Sequence, residues 1–389
     1  MTDWLTYEWE LHGERATFRV DMQYWELLPV LSYSQLVYVC VSPRDPLAKG
    51  FNGMEQYRFR QLRQGTQGMG QGCGRRSLSE SESEARIMLD TILKLFWKNT
   101  ERMDNKRIET LTMPEGVAES NDHQYIDDGN VYHQIDVYYP EGATGKLPVV
   151  IDIHGGGWMY GDKELNKPYC LYLAKKGNVV FNMSYRLFPE VTADDQLRDI
   201  GKALQWIRDN LDNYPCDKDN ICLTGDSAGG MLACFTSVLS VSEKMRELYD
   251  VEDFGIKFNA VGLTSPVAFM DDGTYMSFYT KRMIGGNSYK SKKWADYVNA
   301  DKLLALGEVP PTFFVTSTGD TLALEQTLKL EKAYREHGVE THLINYGKYD
   351  GKAQPHVYAI LYPDREPGNG TIDEMLSFFK AHSKEAVTK

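Results

Sequence analysis

The sequence predicts an α/β chain: a mostly parallel, doubly wound sheet with helices on both faces, a helical cap, and a small β-rich appendage at the N-terminus. Three observations predict it. Short, apolar, β-branched runs alternate with helical ones after about residue 105. Two of those runs end in glycine-rich turns, HGGGW and GDSAGG. A stretch over residues 267–307, rich in Tyr, Met and Lys, interrupts the alternation, as an insertion beyond a strand's C-terminal end would.

Residues 1–59 read as strands. TYEWEL and RATFRVDM flank HGE as a hairpin with a glycine-containing turn, and QLVYVCV is a further strand candidate. Residues 60–84 (RQLRQGTQGMGQGCGRRSLSESESE) are nearly devoid of large apolar side chains, so they bury little surface and read as a linker. Residues 85–389 then form the main domain, its cap expected from about 85–105 and from 267–307. EARIMLDTILKLFWKNTERM carries Ile87, Leu89, Ile92, Leu93, Leu95, Phe96 and Met103 at spacings that suit an amphipathic helix. RIETLTM and YHQIDVYYP read as strands. Strand–helix pairs follow: LPVVIDI with LNKPYCLYLAKKG, NVVFNMSYRL with TADDQLRDIGKALQWIRDNL, and NICLTG with AGGMLACFTSVLSVSEKMRELY. FNAVGLTSPV is next, then PPTFFVTSTGD with LALEQTLKLEKAYREHG, and finally VETHLINYG with TIDEMLSFFKAH.

Bulk properties narrow the function classes. The 389 residues are 42% hydrophobic and 25% charged, ordinary for a globular protein, and suit one large domain plus an appendage. A net charge of −12 argues against a nucleic-acid or anionic-membrane surface. The start, MTDWLTYEWE, lacks the pattern of a secretory signal, and no run of ~18 apolar residues predicts a membrane span. A cytoplasmic protein is expected. Cys40, Cys73, Cys170, Cys216, Cys222 and Cys234 contain no CxxC pair and read as buried, reduced thiols.

The chemistry concentrates in LTGDSAGG. GDSAG fits G-x-S-x-G between a predicted strand and a predicted helix, the context in which the motif makes a nucleophile elbow. Ser227 would sit in a strained turn at the sheet's rim, with Gly225, Ala228, Gly229 and Gly230 keeping the approach open. The helix's positive end would favour an anion there. IHGGGW follows the neighbouring strand. Three glycines are rational where N–H groups must converge on a small anion such as the oxyanion of an ester's tetrahedral intermediate. A phosphate loop would require Lys and then Ser/Thr after the glycines, whereas Trp158 and Met159 follow.

A serine nucleophile needs a base, and the base an orienting acid, in the chain order Ser, acid, His. Four histidines follow Ser227. His337 suits the end of a helix, His342 a strand, and His382 the terminal helix. His356, in a loop past the last predicted strand, is the candidate base. Asp320, closing PPTFFVTSTGD, is the candidate acid, with capping of the next helix as its structural alternative. Asp350 is the rival, set too near His356. Asp226 would serve either the helix start or a hydrogen bond to the oxyanion loop.

HGGGW, SYRLFPE, GDSAGG, TGD ending a strand and a late histidine together resemble the hormone-sensitive-lipase-like carboxylesterases of the α/β-hydrolase fold, over roughly residues 105–385. The resemblance implies Ser227 as nucleophile, His356 as general base and Asp320 as its orienting acid. It implies an oxyanion hole from the amides of Gly156, Gly157 and Ala228, and it makes His154 and Arg186 scaffold. Several positions depart from the family's pattern: Val357 and Tyr358 follow the histidine, Thr321 follows the acid, and Ser184 stands before Tyr185 where an Asp is more usual. Trp158 and Tyr160, with the aromatic cap, are expected to line an acyl or alcohol pocket. Hydrolysis of short-chain or aryl carboxylic esters through an acyl-enzyme is the expected activity. A carbohydrate-ester deacylase (acetyl or hydroxycinnamoyl) and a non-catalytic small-molecule receptor on the same fold are the alternatives. No cofactor and no metal are expected, since His and Cys show no ligand spacing. The expected partner is a small-molecule ester, with no nucleic acid and no membrane span; a homodimer is the assembly considered.

Overall fold

A computed structural model describes the backbone of residues 4–11 and 14–21, and residues 97–270 and 299–384 in full. The expected linker, the strand QLVYVCV, Cys40 and Cys73, the first part of the N-terminal cap helix and most of the 267–307 insertion lie outside the described residues. The chain divides into two compact units, one of Met1–Met88 with Gly273–Tyr275, the other holding the rest. In the first, β1 (Trp4–Leu11) pairs antiparallel with β2 (Glu14–Asp21) as a hairpin.

The second unit is built on an eight-stranded sheet in the order β10-β9-β8-β7-β5-β6-β4-β3. Its strands are β3 (Val117–Gln124), β4 (Gln134–Pro140), β5 (Leu147–Ile153), β6 (Val179–Met183), β7 (Cys216–Asp226), β8 (Ala260–Thr264), β9 (Thr312–Ser317) and β10 (Thr341–Tyr346). From β6 to β10 all pairings are parallel, and β3 and β4 run antiparallel at one edge. This is the mostly parallel, doubly wound sheet that the alternation of elements anticipated, in the α/β-hydrolase fold that the resemblance implied. β5, β6 and β8 are apolar runs because helices cover both of their faces.

The edge of the sheet differs from expectation. RIETLTM is not a strand: residues 97–108 are helical (α1), so Arg107 and Ile108 end a helix. The strand that does precede β4 is β3, VAESNDHQ, which escaped notice because an edge strand needs no apolar face, and a register shift between Ser120 and His123 breaks its alternation.

Helices α2 (Lys163–Lys175), α3 (Ala193–Asn210), α4 (Ser227–Leu239), α5 (Glu243–Tyr249), α6 (Leu324–Glu336), α7 (Tyr358–Leu361) and α8 (Gly368–Ala381) complete the unit. All residues of α4 are buried, which is why SAGGMLACFTSVL is apolar on every side. The run read as one helix to Tyr249 breaks at Ser242, whose hydroxyl caps α5 by accepting from Met245 N. Tyr138, Val150, Tyr169, Leu173, Val180 and Phe313 belong to a core shared with Met375 and Phe379 of α8.

After β6 the chain crosses back to lay β7 on the far side of β5, so the strand order switches direction between β5 and β7. A crevice beyond the strands' carboxyl ends at such a point is where open α/β sheets take ligands. The register pairs Ile153 with Gly225, which brings HGGGW and GDSAGG side by side there.

Candidate active site

Ser227 follows the last residue of β7 and opens α4 with φ +52°, a left-handed conformation costly for a residue with a Cβ. The close approach of this turn to the end of β5 explains the glycines. A Cβ on Gly229 would stand 2.1 Å from the Ile153 carbonyl oxygen and 2.4 Å from that of His154. One on Gly225 would stand 2.5 Å from the Gly229 oxygen. Ser227 thereby lies at the positive end of a buried helix, which stabilises negative charge on its oxygen.

Three of the residues singled out in the sequence meet in one hydrogen-bonded line. His356 Nε2 is 2.9 Å from Ser227 Oγ, and His356 Nδ1 is 3.0 Å from both carboxylate oxygens of Asp320. An ionised carboxylate only accepts, so Nδ1 carries the proton and Nε2 offers its lone pair to the serine hydroxyl. Burial pushes the Asp320 carboxyl up. The hydrogen bond from His356 and its charge, with donors at Ser265 and Ala323, outweigh that and hold it below the usual carboxylate range. Asp320 also accepts from Leu322 N at 3.0 Å and Ala323 N at 2.8 Å, so orienting and capping coexist in one side chain. The loop bearing His356 is pinned to β9 where Ser317 Oγ donates to the Gln354 carbonyl at 2.6 Å.

The rival groups lie elsewhere. Asp350 is exposed in a turn. His337 caps the end of α6, and His342 stacks on Phe313 within the sheet. The Nδ1 of His382 is 2.8 Å from the Phe378 carbonyl oxygen at the end of α8.

Behind the glycine loop lies a buried polar chain. Gly155 N donates to Asp226 Oδ1 at 2.9 Å. Asn166 Nδ2 donates to the same oxygen at 2.8 Å and to Asp152 Oδ2 at 2.9 Å, and Thr224 Oγ1 donates to Asp152 Oδ1 at 2.7 Å. Asp226 therefore holds the glycine loop, while its side chain makes no capping bond to α4. Burial pushes the Asp226 carboxyl up to about 6, and burial with the neighbouring Asp226 charge pushes Asp152 up to about 7. Sequence reasoning missed Asp152 and Asn166. A single acid within the apolar strand LPVVIDI was the available signal, because a buried carboxylate requires partners. Asp226→Ala would leave the Gly155 amide without its acceptor in the interior. We expect a loss of about 1–3 kcal/mol of stability and a fall in kcat larger than the rise in KM, with Asp226→Asn milder because it retains an acceptor. Denaturant unfolding with steady-state kinetics checks this; an unchanged kcat in the alanine variant would refute the anchoring role.

His154 is fully buried, stacks on Tyr185 with ring centroids 4.3 Å apart, and places Nδ1 2.8 Å from the Gly155 carbonyl oxygen. Burial pulls its pKa down to about 4, so it stays neutral. Tyr185 OH donates to the His154 carbonyl at 2.8 Å, and Arg186 grips Asp199 through Nε at 2.8 Å and Nη2 at 2.6 Å. SYRLFPE thus buttresses the glycine loop.

Gly156 and Gly157 are half-buried with φ +101° and +57°, and Ala228 lies in the first turn of α4. Trp158 and Tyr160, expected to line a pocket, are buried. The loop turns tightly at Gly156, whose carbonyl accepts from Met159 N at 3.1 Å and Tyr160 N at 3.0 Å. That turn sends both aromatics inward: Trp158 is 2% exposed, and Tyr160, 8% exposed, donates its hydroxyl proton to Asp104 of α1. Among the described residues no group of His, Cys, Asp or Glu is set to hold a metal ion, and no helix is long and apolar enough to cross a membrane. Cys170, Cys216, Cys222 and Cys234 are buried and unbridged.

Residues 135–334, just over half of the chain, match the model of the BD-FAE family. Versiconal hemiacetal acetate esterase of Dothistroma septosporum is 28% identical over 251 residues, 58% of this chain and 70% of that protein. A probable isoprenylcysteine alpha-carbonyl methylesterase of Arabidopsis thaliana is 25% identical over 62% of this chain, which spans about half (52%) of that relative's length. The crystal structure of esterase B from Lactobacillus rhamnosis superposes with a TM-score of 0.73 at 29% identity, covering 78% of this chain and 97% of that one. The same esterase has been solved inhibited by a tributyrin phosphonate, with a TM-score of 0.71 at 31% identity over 77% of this chain and 96% of that one.

Proposed function

Because the chain belongs to the BD-FAE family, we propose that it is a serine carboxylesterase that hydrolyses short-chain or aryl esters through an acyl-enzyme. The observation that carries this reading is the 2.9 Å contact of Ser227 Oγ with a His356 ring whose other nitrogen faces Asp320. Ser227 Oγ attacks the ester carbonyl carbon while its proton passes to His356 Nε2. The carbonyl electron pair moves onto oxygen, and the amides of Gly156, Gly157 and Ala228 receive that charge; a single such donor contributes about 3 kcal/mol to the barrier. The intermediate collapses, the C–O bond to the alcohol breaks, and His356 returns the proton to the departing oxygen. Water then repeats the sequence on the acyl-enzyme, with His356 again as base. Asp320 keeps the imidazole in the tautomer this requires and stabilises the imidazolium.

The test uses p-nitrophenyl acetate and butyrate with the full chain, together with a p-nitrophenyl alkylphosphonate. Turnover is expected, and the phosphonate should abolish it at one equivalent while adding its mass to the peptide bearing Ser227. Neither turnover nor labelling at Ser227 would overturn the esterase reading.

A further inference from the structure

We propose that Trp97, on α1, is a specificity-determining residue that walls the acyl side of the ester site and limits chain length; this rests on the esterase reading above. The wall is not either of the aromatics that follow the glycine loop, since Trp158 and Tyr160 are turned into the protein. Trp97 is half-buried and lies directly on Gly157. A Cβ on Gly157 would stand 2.2 Å from Cζ2 and 2.6 Å from Cη2 of its indole. The six-membered ring therefore occupies the space beside an amide assigned to the oxyanion hole.

The ring is held there. It stacks on Tyr160, with centroids 5.4 Å apart and planes 15° from parallel. The Tyr160 hydroxyl is tied to Asp104, one α1 turn before the Arg107 with which Asp104 pairs at 3.0 Å. Arg107 Nη1 donates at 2.8 Å to the carbonyl of Leu361, the last residue of α7, which begins two residues after His356. Helix α1 is thus fastened to the glycine-loop segment through Trp97 and Asp104 and to the histidine-bearing segment through Arg107. An aromatic wall so tethered excludes volume instead of yielding to it.

Sheet order assigns the wall to the acyl group. Asp320 follows β9 and His356 follows β10, on one side of β7 and Ser227; Gly157 follows β5, on the other. The leaving alcohol must face His356 Nε2, from which it takes its proton. The carbonyl oxygen takes the amides of the glycine loop, so the acyl chain, bonded to the same carbon and turned from His356, leaves past that loop beside the indole.

The experiment compares the full chain with its Trp97→Ala and Trp97→Phe variants. One substrate series is p-nitrophenyl acetate through decanoate; the other is a set of acetates with alkyl and aryl alcohols. In Trp97→Ala the octanoate-to-acetate ratio of kcat/KM is expected to rise about tenfold or more, with Trp97→Phe between it and wild type and the alcohol-series ratios nearly unchanged. Ratios are read because a partly misfolded preparation lowers every rate alike and leaves them fixed. An unchanged acyl ratio in Trp97→Ala, or a shift confined to the alcohol series, in a protein whose turnover still requires Ser227, overturns the Trp97 assignment and leaves the esterase reading standing. Absence of turnover in the wild-type chain overturns both.

Discussion

Ser227→Ala is expected to lower kcat/KM for p-nitrophenyl acetate by about 10⁴- to 10⁶-fold, with the folded protein intact. The size follows from what the hydroxyl does: its oxygen stands 2.9 Å from His356 Nε2, and without it no acyl-enzyme forms. Residual turnover would come from water activated by His356 and from the amides of the glycine loop, which the substitution leaves in place. The fold should tolerate the change. The turn at residue 227 is fixed by the approach of Gly229 to the ends of Ile153 and His154, not by the hydroxyl. His356→Ala should fall by a similar factor, and the double variant should be no slower than either single one, because the two groups act as a unit. Activity in Ser227→Ala equal to wild type would end the serine mechanism; multiplicative losses in the double variant would show that the two residues act separately.

The same features explain what could be read from the chain and what could not. Ser227, Asp320 and His356 were legible because each stands at the end of, or just beyond, a strand whose apolar run is unmistakable, and chain order ranked the histidines. HGGGW and GDSAGG were legible as neighbours because β5 and β7 are both buried strands, although their adjacency is a property of the sheet order. β3 was illegible because an edge strand is free to be polar. The burial of Trp158 and Tyr160 was illegible because sequence does not reveal that a turn at Gly156 folds the next four residues back beneath it. Trp97 carried no local signal. Its ring meets Gly157 across sixty residues of chain, and within its own helix it is simply one more apolar side chain. Asn166 was hidden likewise, since what makes it significant is that two buried carboxylates converge on it.

Asp320→Asn is the substitution that separates chemistry from folding at the third member of the line. We expect kcat to fall by about 10³- to 10⁴-fold with KM little changed. The reasoning starts from the hydrogen bonds. Oδ1 accepts from Leu322 N at 3.0 Å and Ala323 N at 2.8 Å, and an asparagine oxygen placed there keeps both. Its amide nitrogen then replaces Oδ2 opposite His356 Nδ1, a position now 3.0 Å away and filled by an acceptor. An NH₂ group donates. Nδ1 also lies 3.0 Å from Oδ1, but that oxygen is already shared by two amides, so the NH₂ group opposite Nδ1 favours the tautomer with a lone pair there and the proton on Nε2, where it points at Ser227 and cannot receive a proton from it. The charge that would stabilise the imidazolium is lost as well. Asp320→Ala should differ in kind: it strips the acceptor from two backbone amides and should cost about 1–3 kcal/mol of stability in addition to activity. The folded carboxyl is held below its ordinary value, so its share of the stability is present at neutral pH and is lost as acid titrates it below the usual carboxylate range. The stability difference between wild type and Asp320→Asn should accordingly narrow as the pH falls into that range. Thermal melts across pH, set beside kcat at neutral pH, measure both effects. A wild-type kcat in Asp320→Asn would show that this carboxylate does not orient the base.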